Sequence, residues 1–318
     1  MRYVFRADAS RSIGAGHVMR SAAISEELIA RGKDVIFVGK ISELLWVAER
    51  IASLGFSQIY DESKEFNSNP NSDVLILDSY NIDVNESFID PKNWHSIVAI
   101  VDELTPDYKC TIRIHPGLDS DWTGNSRTPI LAGPKYIPIR STLSKKMQTS
   151  STNEDRLRIA VVAGGSDPYE LVHEIAKVIA KIPEDFEVLL FSASDFSSFS
   201  DSRFQIVQIG QQLDEITHNL DLVITTASTS SLEFLACGLC VGLVCVVDNQ
   251  SQYYNHLGKI GVAAQLGFRT LENTWKLDEQ KINSLITSSE LRMNLISTAE
   301  GLIDFKGASR IVDSITTL

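Results

Sequence analysis

Short apolar runs and amphipathic stretches alternate along the first 115 residues. Tyr3–Phe5 reads as a strand, and Val18–Ala30 carries a helical period with Ile24, Leu28 and Ile29 on one face. Val35–Val38 predicts a strand, Leu44–Leu54 a helix and Val74–Leu77 a continuous apolar strand, followed by strands at Ile97–Val101 and Thr111–Ile114. Continuous apolar strands separated by helices belong to a parallel sheet covered on both faces. The alternation restarts at Leu157–Val162. Strands are expected at Glu187–Phe191, Phe204–Val207, Leu222–Thr225 and Val241–Val247. Helices are expected at Glu170–Ala180, Leu213–Thr217, Leu232–Ala236, Tyr253–Lys259, Glu279–Thr287, Glu290–Leu302 and Ala308–Thr316.

Residues 141–156 interrupt this rhythm with a polar, Ser- and Thr-rich stretch that reads as an interdomain linker. The chain of 318 residues is long enough for two cores. The expected fold is therefore α/β, with a Rossmann-like domain over 1–145 and a second over 155–318. Such domains bind ligands at the carboxyl ends of their strands, so two of them facing each other define a cleft.

Composition narrows the function classes. The formal net charge of −12 argues against a nucleic-acid partner, which needs clustered Lys and Arg. A small anion remains compatible, because backbone N–H groups bind phosphate locally. Leu235–Val247, the longest apolar run, is broken by Gly238 and Gly242 and falls short of the roughly 18 residues that span a bilayer. The charges in the first eight residues leave no signal-peptide core, so a cytoplasmic protein is expected. The acidic charge also opposes stable docking on anionic lipid, although the Leu44–Leu54 helix keeps that question open. Cys237, Cys240 and Cys245 lie beside a helix end and a strand with no second Cys pair following, which favours core packing over a metal centre.

The candidate chemistry lies in strand-to-helix turns. Between the first strand and helix runs Arg6-Ala-Asp8, followed by Gly14-Ala-Gly16-His17. Gly14 and Gly16 permit a tight turn and close approach to a ligand. His17 falls in the first helical turn, expected at the cleft mouth, where a neutral imidazole can accept a proton from water. The spacing is not Gly-x-Gly-x-x-Gly, because position 19 is Met, so no dinucleotide cofactor is expected. Gly164-Gly165-Ser166-Asp167-Pro168 offers N–H groups to a diphosphate, with Pro168 expected at the first helical position and Ser166 or Asp167 as cap. Ser228-Thr229-Ser230-Ser231 supplies hydroxyls for phosphate oxygens, and Glu233 lies a turn later, within reach of a ribose diol; an N-cap richer than the helix needs is the bland alternative. Asn249 and Gln250 follow a strand and can read sugar hydroxyl or acetamido groups, or simply open a polar helix. Tyr80, after Leu77-Asp78-Ser79, is placed to orient sugar or water, unless it is an ordinary half-buried Tyr. Asp102-Glu103 forms a weaker acidic pair. Asp119-Ser-Asp121 matches a metal–diphosphate motif, but it falls in a loop, so no metal is expected. His95, His115, His173, His218 and His256 show no ligand spacing.

Together these motifs resemble the UDP-sugar hydrolases of the pseudaminic acid pathway, which remove UDP from UDP-2,4-diacetamido-2,4,6-trideoxy-β-L-altropyranose. The resemblance runs through Phe5–Asp8, Ile13–His17, Asp78–Tyr80, Gly164–Asp167, Ala227–Ser230, Asn249-Gln250 and Phe305-Lys-Gly-Ala-Ser-Arg-Ile. The second-domain motifs are shared with GT-B glycosyltransferases, including the lipid II-forming N-acetylglucosaminyltransferase. The resemblance implies GT-B architecture, no metal or other cofactor, and attack of water on the anomeric carbon with inversion, His17 being the base. It also implies that Gly165, Ser166, Ser228, Thr229 and Glu233 hold UDP, while Tyr80, Asn249 and Gln250 face the sugar. Asp102-Glu103 and His115 depart from the Asp-Asp and Asn that the family often carries on the sugar side. A UDP-sugar-dependent glycosyltransferase is the alternative reading, and a nucleotide-sugar epimerase and a binding-only protein are minor ones. A residue 17 packed away from solvent would count against the hydrolase.

Overall fold

In the computed structural model the apolar runs of the first half become a seven-stranded sheet among the described residues, which are 1–124, 127–146, 156–192, 201–210 and 212–318. Its strands are β1 (Arg2–Ala7), β2 (Asp34–Val38), β3 (Gln58–Tyr60), β4 (Asp73–Asp78), β5 (Ser96–Ile100), β6 (Ile112–His115) and β7 (Ile130–Ala132). They pair in parallel, in the order β3-β2-β1-β4-β5-β6-β7. The second sheet comprises β8 (Leu157–Val162), β9 (Phe186–Phe191), β10 (Phe204–Val207), β11 (Leu222–Thr226), β12 (Cys240–Cys245), β13 (Ala264–Arg269) and β14 (Trp275–Leu277). Its order, β10-β9-β8-β11-β12-β13-β14, repeats that of the first, with only the last pair antiparallel. In both sheets the order reverses beside the first strand, between β1 and β4 and between β8 and β11. Those two points are where doubly wound sheets bind ligands.

The helices are α1 (Gly16–Ala30), α2 (Leu45–Ser53), α3 (Leu171–Ile179), α4 (Gln212–Ile216), α5 (Thr229–Ala236), α6 (Ser251–Lys259), α7 (Glu279–Thr287), α8 (Ser289–Ala299) and α9 (Gly307–Ile315). Alternation along β1 shows why its run is continuously apolar. Tyr3 and Phe5 pack with Val18 and Leu28 of α1 on one face, while Val4 joins Leu75, Leu77 and Trp94 on the other. Cys240 belongs to the core of the second sheet, and Cys237 is equally enclosed.

Two expectations change. The chain divides into one unit of Met1–Ser141 with Asp304–Leu318, and another of Thr142–Ile303. The last helix thus belongs with the first unit rather than closing a domain over 155–318. Ile311, Val312 and Ile315 of α9 enter the core beneath α1, and Arg31 Nη1 reaches Asp313 Oδ1 at 2.6 Å. Strands β3, β7, β13 and β14 are also additional to the expected set. Gln58 and Ile59 in β3 are exposed, so the edge strand lacks an apolar run. In β13, Gly267 at φ +148° makes room for Lys276: a Cβ there would lie 2.2 Å from its carbonyl oxygen. Residues 147–155 of the expected linker lie outside the described residues.

Candidate functional site

The turn leaving β1 closes on itself. The Gly14 amide donates to the Ser10 carbonyl at 2.8 Å, with Gly14 at φ +83°, and Gly16 then opens α1. His17 and Arg20 stand one turn apart and share a face of the helix, and both meet Asp78, the last residue of the adjacent β4. His17 Nδ1 lies 2.6 Å from Asp78 Oδ1. Arg20 grips the same carboxylate through Nε to Oδ2 and Nη2 to Oδ1, both at 2.6 Å. Burial alone would raise the Asp78 pKa, but Arg20 and then His17 outweigh it, and the carboxyl stays below its ordinary range. An ionised carboxylate only accepts, so the Asp78 contact calls for a proton on Nδ1, and in the neutral imidazole Nε2 is then the acceptor. Nε2 has no hydrogen-bond partner among the described residues.

Tyr80 packs edge-on against the imidazole, with centroids 4.3 Å apart. Its hydroxyl donates to Asp102 Oδ2. Asp102 Oδ1 is in turn held by the Leu104 amide at 3.0 Å and Thr105 Oγ1 at 3.1 Å. Burial raises the Tyr80 pKa and Asp102 adds to it, against the pull of Arg20, so the phenol is a fixed donor and not a base. His17 itself does not stand in the open as expected: it is 6% exposed, packed among Asp78, Arg20 and Tyr80.

The other switch point carries the second group of candidates. Gly164 adopts φ +76°, and a Cβ there would meet Thr226 Oγ1 at 4.0 Å, so the turns after β8 and β11 are neighbours. Helix α3 begins at Leu171 rather than at Pro168, because Glu170 at φ +57° breaks any earlier start. Asp167 is the capping side chain, at longer range than expected, accepting from the amides of Leu171 (2.8 Å) and Val172 (3.1 Å). Those amides are therefore already satisfied. Burial holds the Asp167 pKa above its ordinary value despite both bonds. At α5 the opposite holds: Ser228 occupies the cap position without a side-chain cap bond, and its hydroxyl pairs with Thr226 Oγ1 at 3.1 Å. Thr229 and Ser230 begin the helix half-buried, and Glu233 lies buried one turn on. Gly165 and Ser166 are half-buried in the β8 turn.

No protein-family model matches the chain. The spore coat polysaccharide biosynthesis protein SpsG of Bacillus subtilis is 21% identical over 337 aligned positions, covering 96% of this chain and 95% of that protein. Two solved structures superpose along essentially the full chain. Arabidopsis thaliana UGT89C1 complexed with UDP gives a TM-score of 0.67 at 12% identity, with 99% of each chain covered. Acinetobacter baumannii MurG gives 0.66 at 12% identity, with 100% of each covered. The fold is the GT-B fold.

Within this GT-B chain the candidates separate by unit. The first brings His17 and Tyr80 together. Arg6 and Asp8 bind each other at 2.6 Å, and Arg6 Nε also reaches Ser63 Oγ while Asp8 accepts from the Lys40 amide, so both brace the β1 turn. In the second unit Gln250 is tied by its Oε1 to the Val246 amide at 2.9 Å, whereas Asn249 is exposed. His115 stacks on Trp122 at 4.3 Å, and burial lowers its pKa. Asp119 accepts from the Asp121 amide at 2.9 Å, closing a turn of its own. Among the described residues no helix is long and apolar enough to cross a membrane. Asp78, Arg20 and Asp102 were not assigned roles from sequence. A carboxylate ending a fully apolar strand, and an Arg three residues after the His, were the available signals.

Proposed function

We propose that this GT-B chain is a metal-independent UDP-sugar hydrolase acting on a diacetamido-trideoxy sugar of the kind that feeds nonulosonic acid synthesis. The observation that carries the reading is the His17–Asp78 contact at 2.6 Å, which leaves Nε2 as the acceptor at a switch point of the first sheet. In this reading Gly165, Ser166, Ser228, Thr229, Ser230 and Glu233 of the second unit hold UDP. The uncapped start of α5 suits the diphosphate better than the start of α3, whose amides Asp167 already occupies. Tyr80, Asn249 and Gln250 serve the sugar. His17 Nε2 takes a proton from water as the water oxygen bonds to the anomeric carbon. The bond from that carbon to the diphosphate oxygen breaks, and UDP departs with the electron pair. The products are UDP and a free reducing sugar of inverted configuration.

Purified protein incubated with UDP-diacetamido-trideoxy sugars, EDTA and no acceptor is expected to release UDP and reducing sugar in equal amounts. His17→Asn should abolish release while leaving UDP affinity near wild type; loss of UDP binding would make residue 17 a binding or structural group. A second reading, a UDP-sugar-dependent glycosyltransferase, has its own support in a fold shared with the glycosyltransferases CalG4 and VinC and with UGT89C1, which is solved with UDP. The same imidazole would then deprotonate an acceptor hydroxyl, and UDP would appear only once an acceptor is added.

A further inference from the structure

A cavity of about 350 Å³ opens in the first unit, formed by the segment after β5 together with Trp122. Its apolar walls include Pro106, Tyr108 and Trp122, and its polar walls include Asp102, Glu103 and Asp107. Trp122, Tyr108 and Asp102 are each held by neighbours. Trp122 is stacked on His115 and donates from Nε1 to Glu103 Oε1 at 2.9 Å. The Tyr108 hydroxyl donates to the carbonyls of Ser79 (3.2 Å) and Ile82 (3.1 Å), which ties the cavity to the loop carrying Tyr80. Asp102 belongs to both places: it lines the cavity and accepts the Tyr80 hydroxyl, and Tyr80 lies against His17.

We propose that this cavity is the sugar-specificity subsite, taking a neutral substituent rich in hydroxyl or amide N–H groups and rejecting a carboxylate. Carboxylates accept from hydroxyl and amide donors, and the rings cover the apolar edges of a sugar. Three carboxylates line the walls beside the single guanidinium of Arg113. Asp102, Glu103 and Asp107 outnumber Arg113, whose Nη2 donates to the Thr123 and Thr128 carbonyls at 2.7 and 3.1 Å, so an anionic substituent meets a wall of net negative charge. The inference rests on the UDP-sugar reading of the site and names which sugars that site admits.

The test is calorimetric titration of the full chain with UDP, UDP-N-acetylglucosamine and UDP-glucuronic acid. Wild type should bind UDP-glucuronic acid at least about tenfold more weakly than UDP-N-acetylglucosamine. Glu103→Gln and Asp107→Asn should narrow that ratio to within about threefold by strengthening the glucuronide, a gain that misfolding does not produce, with UDP affinity unchanged. Equal wild-type binding of the two sugars, or a ratio that neither variant moves, overturns the subsite while leaving the nucleotide site intact. Failure of UDP itself to bind overturns the UDP-sugar reading and the subsite with it.

Discussion

At the scale of single residues, Asp78 is the group on which the rest of the first site depends. It is fully buried, yet shares its two oxygens between a guanidinium and an imidazole. Its role in orienting His17 is separable from its role in neutralising Arg20. Asp78→Asn would present an amide N–H to Nδ1 and favour the tautomer protonated at Nε2. We expect kcat to fall by about 10²–10⁴-fold with UDP affinity retained. Asp78→Ala instead leaves Arg20, itself 8% exposed, buried without its partner, at a cost of about 3–5 kcal/mol. Replacing Arg20 and Asp78 together by Leu should recover part of that loss, read from denaturant midpoints in a double-mutant cycle. The pH dependence follows in sign. The Asp78 pKa is lower folded than unfolded, so its stabilisation is complete above about pH 4, the ordinary carboxylate value, and is lost as pH falls through the folded value. The stability gap between wild type and Asp78→Ala should therefore be wide at pH 7 and shrink on acidification. A constant gap would show that the carboxylate charge does not matter.

At the scale of elements, the two kinds of glycine turn separate conformational strain from steric contact. Gly14 needs its positive φ but has no atom within 4 Å of a built Cβ, so Gly14→Ala meets only backbone strain, about 1–2 kcal/mol. Gly307, the first residue of α9, would put a Cβ 1.9 Å from the Ile137 carbonyl oxygen. Backbone does not yield as a side-chain tip does, and Gly307→Ala should cost more than Gly14→Ala in thermal or denaturant unfolding. Equal losses would mean that α9 shifts freely. Legibility in the sequence follows the same divide. Strands buried on both faces, such as β1 and β4, announce themselves as apolar runs, and α1 by its period. Edge strands do not, because Gln58 and Ile59 have only one neighbour to pair with and face water. His17 could be read from its setting after Gly14 and Gly16, and Tyr80 from its place after β4. Asp78, Arg20 and Asp102 could not be assigned, since their partners are 58 residues away for Arg20 and Asp78 and 22 for Tyr80 and Asp102. Only the order of strands in the sheet brings them together.

At the scale of the whole molecule, the last helix shows where periodicity stops informing. The apolar stripe of α9 is plain in the sequence, but a stripe does not say which sheet it covers. Its position after the second sheet pointed to the second unit, whereas the structure puts it on α1 of the first. Ile311, Val312 and Ile315 are fully buried there, and the Arg31 guanidinium reaches both Ser309 and Asp313. Burying each of three branched side chains contributes about 1.5–3 kcal/mol. Their sum is comparable to the entire stability of an ordinary domain, about 5–15 kcal/mol. Deleting residues 304–318 should therefore unfold the unit that carries His17, although the deletion touches no residue of the candidate site. Proteolysis of the shortened chain is expected to consume Met1–Ser141 first and to spare Thr142–Ile303, whose core contains no residue of α9. A first unit as resistant as in the full chain would mean that α9 only decorates its surface. Because a domain that loses its closing helix loses the β1–β4 register as well, UDP release should disappear along with that resistance, even where UDP binding by the second unit persists.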